Sequence, residues 1–411
     1  MQDILNKKTL NDVSLNNARV IVRVDFNVPI KDGHVVDSKR ITAATQTIQH
    51  LLECKCKIIL LSHLSRIKSL EDITSGKKSL KPVADILQDL FPEVVVKFCP
   101  ESRGQVVIDA VEQLKEREIL LLENTRYNDV NEKGEVVKLE SKCDDELGKE
   151  WASLASIFVN DAFGTAHRRH ASNVGIAKHI PISCIGFLIQ REIENLSKIT
   201  HNPHRPVVAI LGGAKISDKL KVIDNLLALA DKVLICGGMA YTFLKSQGVD
   251  IGASLVEEEM VDEAKKILSK AKDKIILSQD FKCTTEFADM IPTYRTVEQG
   301  LNGVMGLDIG EKTISAFKEA LAGAGTVFWN GPAGVFEFKN FQQGTKDICQ
   351  ILKDLTHNGA FTLIGGGDSA SAAVALGFKE SNFSFISTGG GASLEFIEGS
   401  PLPGIEIIQN K

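Results

Sequence analysis

No run of about 18 apolar residues occurs in this 411-residue chain, so no transmembrane helix is expected. Its opening residues, Met1-Gln2-Asp3-Ile4-Leu5-Asn6-Lys7-Lys8, lack the apolar core of a secretory signal. There is no Cys-x-x-Cys among the eight cysteines, and the closest pair is Cys54 and Cys56. Disulfide frameworks belong to small secreted domains, so these cysteines are expected to be reduced and buried, and the chain cytoplasmic. A basic excess is also missing: 48 Lys and Arg against 53 Asp and Glu leave a formal net charge of −5. That argues against a nucleic-acid binder. It does not exclude small anions, because a local cluster can oppose the global sign. Neither a P-loop nor a Gly-x-Gly-x-x-Gly fingerprint is present, and the second absence disfavours an NAD-dependent dehydrogenase.

What is present is an ordinary globular composition, 43% apolar and 25% charged. At roughly 100–200 residues per domain, the length suits two domains. Short β-branched runs recur at Arg19–Val24, Lys57–Ser62, Val94–Phe98, Ile119–Leu122 and Ser156–Asn160. They resume at Pro206–Leu211, Lys232–Cys236, Lys274–Leu277, Thr326–Trp329, Phe361–Ile364 and Phe383–Ile386. Continuous apolar runs of this length suit strands buried on both faces. The intervening segments have helical spacing, as in Ser217–Leu229 and Glu257–Leu268. This alternation predicts an α/β protein with two doubly wound, Rossmann-like parallel sheets. Residues 128–142 are polar and read as a surface loop or hairpin. Gly186–Arg205 reads as a helix ended by Pro203 and Pro206, which suits a connector between domains as well as an ordinary turn within one.

Arginine and glycine are unevenly placed. Every arginine but Arg295 lies at or before Arg205, whereas only 8 of the 33 glycines fall within residues 1–200. Arginine offers a rigid fork to carboxylate and phosphate oxygens. Glycine lets backbone N–H groups approach phosphates. Two halves handling two anions by different chemistries would produce this bias, as would simple drift in composition.

In the second half, Gly212-Gly213-Ala214-Lys215 follows a strand and opens toward a helix, a natural anion site. Lys215 and Lys219 are four apart, hence on one helical face if both are helical. Gly365-Gly366-Gly367-Asp368-Ser369 and Ser387-Thr388-Gly389-Gly390-Gly391 repeat the pattern. Asp368 suits either a helix cap or a Mg²⁺ ion carried by nucleotide phosphates. Three such turns at one edge of a parallel sheet point to a nucleotide site.

In the first half, four strands end in polar segments: Asp25-Phe26-Asn27, His63-Leu64-Ser65-Arg66, Glu123-Asn124-Thr125-Arg126 and Asp161 through His170. Arg40 begins a helical stretch. A parallel sheet brings Arg40, His63, Arg66, Arg126, Arg168 and His170 toward one edge, as a pocket for a small phosphorylated or carboxylated substrate. His167 and His170 lack a third metal ligand and sit beside arginine, which disfavours a cation.

These residues resemble the phosphoglycerate kinase family. The resemblance runs from about Val20 to Ile405 and rests on Arg23-Val24-Asp25-Phe26-Asn27-Val28-Pro29, Gly164-Thr165-Ala166-His167-Arg168, Gly212-Gly213-Ala214-Lys215, Trp329 through Glu337, Gly365 through Asp368 and Ser387 through Ser393. It implies a monomeric, cytoplasmic two-lobed kinase whose sheets face a cleft. The implied reaction interconverts 3-phosphoglycerate and ATP with 1,3-bisphosphoglycerate and ADP, using Mg²⁺. A non-catalytic nucleotide-binding relative is the alternative. The resemblance further implies that Asp25, Asn27, Arg40, His63, Arg66, Arg126 and Arg168 hold 3-phosphoglycerate. Around the nucleotide it implies Lys215, Lys219, Gly306, Glu337, Gly366, Gly367, Asp368 and Ser369, with Asp368 serving Mg²⁺ and Arg40 and Lys215 acting in catalysis. The expected boundaries are 1–186 for the substrate domain, 187–205 for a hinge helix, 206–400 for the nucleotide domain and 401–411 for a tail returning to the first domain. Four positions depart from the family's habit. Ser65 and Ile67 stand where Gly and Pro are usual, Arg169 where a small residue is, and Ser369 where Thr is. Without Gly and Pro, the turn carrying Arg66 is expected to be less constrained.

Overall fold

The structure, a computed structural model, describes residues 2–411. The chain divides into two compact units, Met1–Glu194 with Pro401–Lys411, and Asn195–Ser400. The strands of the first unit are β1 (Arg19–Arg23), a hairpin of β2 (Ile30–Lys31) and β3 (His34–Val35), β4 (Lys57–Leu61), β5 (Val96–Cys99), β6 (Ile119–Leu122), β7 (Ile157–Asn160) and β8 (Ile182–Ile185). Six of them form one parallel sheet in the order β5-β6-β4-β1-β7-β8. The central strands are apolar in their interiors, as in residues 20–22, 58–61 and 157–159, because both faces are covered. Val20, Val22, Ile58, Leu60, Leu121 and Val159 share one core with Ile48, Leu51, Val83 and Leu87 from the helices. The chain fills one side of β1 with β4, β5 and β6, then the other with β7 and β8. The switch therefore falls between β1 and β7, and ligands of such sheets bind outside the strand ends at that place.

The second unit holds β9 (Val207–Leu211), β10 (Lys232–Ile235), β11 (Ile275–Leu277), β12 (Asp280–Thr284), β13 (Thr293–Thr296), β14 (Met305–Ile309), β15 (Thr326–Asn330), β16 (Phe361–Gly365) and β17 (Phe385–Ile386). Its parallel sheet has the order β11-β10-β9-β15-β16-β17, with the switch between β9 and β15. A separate antiparallel sheet, β13-β12-β14, carries a bulge between Lys282 and Cys283, opposite Gly306.

The α/β class and two parallel sheets agree with the sequence reading. Strand β8 and the antiparallel sheet were not anticipated. β8 is a short edge strand with an exposed first residue and Ser183 inside it, and the antiparallel strands carry Asp280, Lys282 and Arg295. Neither presents a continuous apolar run. The expected helix over Ser217–Leu229 begins at Leu220 after a 3-10 turn at Ser217–Lys219. Lys215 is therefore not helical, and the condition for placing it on one helical face with Lys219 is not met. Residues 128–142 include a bridge between Val130 and Val136, but Glu140 within them is wholly buried. All eight cysteines are free; Cys54 and Cys143 are half-buried, where full burial was expected. No helix among the described residues is long and apolar enough to cross a membrane.

The tail 401–411 packs within the first unit. Leu402 and Ile405 are fully buried. Asn160 Nδ2 donates to the Gly404 carbonyl at 2.7 Å, and Lys7 Nζ donates to the Glu406 and Ile408 carbonyls at 2.6 and 2.8 Å.

Candidate functional site

In the first unit the charged side chains gather at the carboxyl ends of β1, β4, β6 and β7. Asp25, just past β1, accepts from Arg40 Nη1 at 2.8 Å. Asn27 Oδ1 accepts the Ser65 N–H at 2.8 Å, and the Ser65 carbonyl accepts from Arg126 Nη1 at 2.6 Å. Lys78 Nζ donates to the Arg66 carbonyl at 2.6 Å. The turn carrying Arg66 is thus pinned by three hydrogen bonds, which corrects the expectation that it is loosely constrained. Ser65 there has φ +56°, in the left-handed region that favours glycine.

Arg66, Arg126, Arg168 and His170 line a cavity of about 460 Å³, together with Ile67, Lys68, Lys138 and Lys142. Arg126 is 7% exposed, and its Nε has no hydrogen-bond partner. Burial, then the Arg23 and Arg168 charges, lower its pKa. A buried, partly unsatisfied guanidinium among like charges suits an incoming anion. Arg168 is exposed, and its Nε donates to His167 Nε2 at 3.1 Å. Arg169 is exposed as well. His63 is buried with Nδ1 at 3.1 Å from Arg23 Nη2. Burial, then Arg23, holds its pKa well below the usual value. Burial, then Arg23, pushes His170 down to about 3. These imidazoles are neutral near pH 7.

Beneath them lies a network that the sequence reading did not single out. Arg23 is wholly buried; its Nε donates to Ser172 Oγ at 2.7 Å, and that hydroxyl donates to Glu140 Oε1 at 2.5 Å. The Ser172 N–H holds Glu140 Oε2 at 2.9 Å. Arg23 thereby orients His63 from below. An arginine closing a buried apolar strand was the available signal, masked because neighbouring Asp25 and Asn27 drew the functional reading.

In the second unit, the turns after β9 and β15 pack backbone to backbone. A Cβ at Gly212 would lie 2.2 Å from the Pro332 carbonyl oxygen, so only glycine fits. Beside them opens a largely apolar cavity of about 530 Å³, lined by Gly213, Gly238, Tyr241, Leu255, Met305, Gly306, Pro332, Val335 and Glu337 among others. Gly306 and Glu337 thus belong to one wall. Lys219, Gly366, Gly367, Asp368 and Ser369 cluster next to it. Lys219 Nζ donates to the Gly212 carbonyl at 2.7 Å and to Asn330 Oδ1 at 2.5 Å. Asn330 Nδ2 donates to the Gly365 carbonyl at 2.7 Å, so Asn330, not anticipated, ties the lysine to the turn after β16. Burial lowers the Lys219 pKa to about 8, while nearby Asp368 helps to retain the charge. Gly366 has φ +92° and precedes the helix Gly367–Ala375. Ser369 Oγ accepts the Gly331 N–H at 2.6 Å, which leaves its proton to donate. Lys215 is exposed and makes no hydrogen bond or ion pair among the described residues.

Asp368 is exposed at the start of its helix. Among the described residues no cluster of three or more His, Cys, Asp or Glu is placed to hold a metal. A single carboxylate fits Mg²⁺ that draws its other ligands from phosphate and water.

A family model described as phosphoglycerate kinase matches residues 10–400. The chain belongs to the phosphoglycerate kinase family. It is 56% identical to the phosphoglycerate kinase of Mycoplasmoides gallisepticum, covering 99% of each chain, and 54% identical to that of Mycoplasma genitalium, again covering 99% of each. Among solved structures, phosphoglycerate kinase from Coxiella burnetii aligns with TM-score 0.84 and 36% identity over 98% of both chains. The Pyrococcus horikoshii enzyme aligns with TM-score 0.80 and 29% identity, covering 97% of this chain and 98% of its own. As a member of the phosphoglycerate kinase family, the chain is a kinase.

Proposed function

We infer that the chain transfers the γ-phosphoryl group of ATP reversibly to the carboxylate of 3-phosphoglycerate, giving 1,3-bisphosphoglycerate and ADP. The observation that carries this reading is the division of labour between two strand edges. One offers buried and exposed arginines around a 460 Å³ cavity; the other offers glycine turns and lysines beside an apolar 530 Å³ cavity suited to a nucleobase. The full-length likeness to proteins named phosphoglycerate kinase supports 3-phosphoglycerate as the acceptor.

The attacking carboxylate is already an anion, so no general base is required. The barrier is repulsion between two anions, and catalysis consists of positioning and charge stabilisation. Asp25, Asn27, Arg40, His63, Arg66, Arg126 and Arg168 orient 3-phosphoglycerate. Neutral His63 donates or accepts a hydrogen bond without adding charge. Gly306 and Glu337 flank the nucleoside, while Lys219, Ser369 and the N–H groups of Gly366 and Gly367 receive phosphate oxygens. Arg40 and Lys215 stabilise charge on the transferring group. Asp368 would hold Mg²⁺ together with the nucleotide phosphates, and the ion would supply neutralisation of phosphate charge. The enzyme works as a cytoplasmic monomer on dissolved metabolites.

The deciding experiment is an assay of ADP release from MgATP with 3-phosphoglycerate, alongside acetate, aspartate and glycerate as acceptors. Turnover confined to 3-phosphoglycerate is expected. Equal turnover with another carboxylate would reassign the acceptor, and nucleotide binding without turnover would mark a non-catalytic relative.

A further inference from the structure

Lys215 sits on a turn fixed at both ends while its own side chain is free to reach. Upstream, the Gly213 N–H donates to the Pro332 carbonyl at 3.2 Å, and the Gly213 carbonyl accepts from Met239 N–H at 2.9 Å. Downstream, the turn is held by a carboxylate from elsewhere in the unit. Glu257 Oε2 accepts the N–H of Ile216 at 2.6 Å and of Ser217 at 3.2 Å. Its Oε1 accepts the Ser217 hydroxyl. Glu257 is 8% exposed, and its own N–H donates to Thr242 Oγ1 at 3.1 Å, which anchors it to the helix Met239–Ser246.

We propose that Glu257 is a positioning residue for phosphoryl transfer, fixing the turn that presents Lys215 to the transferring group. This rests on the assignment of Lys215 to that group. A buried carboxylate is costly unless its lone pairs are used. Here three donors use them, and none is Lys215. The ammonium therefore stays unpaired while the backbone beside it is held by these hydrogen bonds. Ile216, which precedes the 3-10 turn, supplies no side-chain cap of its own. A serine or aspartate there would cap the turn locally. The distant carboxylate instead couples the Lys215 turn to the wall of the nucleotide cavity, because Leu255 and Tyr241, close to Glu257 and Thr242 in sequence, line it. A lysine on a flexible stem gains rate only if its origin is held, since a displacement of about 1 Å lowers turnover by roughly 100-fold.

The test is a double-mutant cycle in kcat, with ADP and 3-phosphoglycerate Kd measured in parallel on the full chain. Glu257→Ala is expected to lower kcat by about tenfold or more while each Kd stays within about twofold. In a Lys215→Ala background, the same change should lower kcat by less than about twofold, because the lysine it positions is gone. Glu257→Gln, whose amide oxygen still accepts the Ile216 N–H, should restore most of the rate. Equal losses in both backgrounds, or a nucleotide Kd that rises in step with the loss of kcat, would overturn the proposal and leave Glu257 a structural cap. Should the alanine variant not fold, Ser217→Ala, which removes one of the three donors, enters the same cycle. If Lys215→Ala itself turns over at the wild-type rate, the assignment of Lys215 fails, and the positioning role falls with it. Wild-type-like Glu257→Ala beside a crippled Lys215→Ala overturns the positioning role alone.

Discussion

Replacing Arg126 with methionine should move stability and binding in opposite directions. The side chain is 7% exposed, its Nε is unpaired, and it lies among the charges of Arg23 and Arg168. Leaving a buried donor unsatisfied costs about 1–3 kcal/mol. Methionine removes that donor and fills much of the same volume. Against this, the bond from Nη1 to the Ser65 carbonyl is lost, worth about 0.5–1.5 kcal/mol. The ligand-free variant should therefore be more stable by about 1 kcal/mol, or about 2–4 °C in Tm for a domain of this size class. Binding should suffer. A charge-assisted contact to a phosphate or carboxylate contributes about 1.5–3 kcal/mol, a weakening of roughly 10- to 150-fold. At 100 times the wild-type Kd, 3-phosphoglycerate should stabilise the wild type by about 2.7 kcal/mol, and a variant weakened about 100-fold by only about 0.4 kcal/mol. Thermal unfolding with and without 3-phosphoglycerate, with calorimetric titration of 3-phosphoglycerate and of ADP, measures every term. An unliganded variant clearly less stable than wild type would refute the burial reasoning. A 3-phosphoglycerate Kd within twofold of wild type, or an equal loss of ADP affinity, would refute the placement of the anion.

Burial lowers the Lys219 pKa to about 8, while bound phosphates favour the ammonium. ADP affinity should thus be level well below that pH and fall about fivefold between pH 8 and 9, as the free protein must take up a proton to bind; Lys219→Met should flatten the profile, and a level wild-type profile would contradict the assignment. Ser65→Gly should raise Tm by about 1–4 °C by relieving the left-handed backbone. It should leave the 3-phosphoglycerate KM unchanged, since both contacts of Ser65 are made by its backbone. Gly331→Ala places a Cβ 2.4 Å from Gly212 backbone atoms at φ +95°; urea denaturation should report a loss of about 2–4 kcal/mol, and an unchanged midpoint would mean that the two turns yield easily.

Much of the fold was legible because buried parallel strands write themselves as uninterrupted apolar runs. Ile119–Leu122 and the core of Val207–Leu211 could hardly be anything else. The antiparallel sheet was hidden for the complementary reason: in Thr293–Thr296 the first two residues are exposed and none is fully buried, so its sequence resembles a loop. The candidate site residues that the sequence singled out are those that follow strand ends, as with Arg66, Arg126 and Asp368. Those beneath the site were not. Arg23, Glu140 and Ser172 meet only through the third dimension, and Glu140 sits in a polar stretch that looks solvent-facing until its burial is seen. Asn330 was quoted only as part of a motif, although its side chain joins Lys219 to the Gly365 turn. Pairwise hydrogen bonding across 111 residues leaves no local trace.

The residues of the first unit are not contiguous, since Pro401–Lys411 belong to it and Asn195–Ser400 intervene. On the ribosome this imposes a schedule. The strands from Arg19 to Ile185 emerge early, yet Asn160 waits for the Gly404 carbonyl, and Lys7 for those of Glu406 and Ile408. The apolar sites of Leu402 and Ile405 stay open until the whole second unit has left the exit tunnel. A nascent chain thus carries an incomplete first unit while the second is made, and residues 401–411 act as a latch that closes only after it.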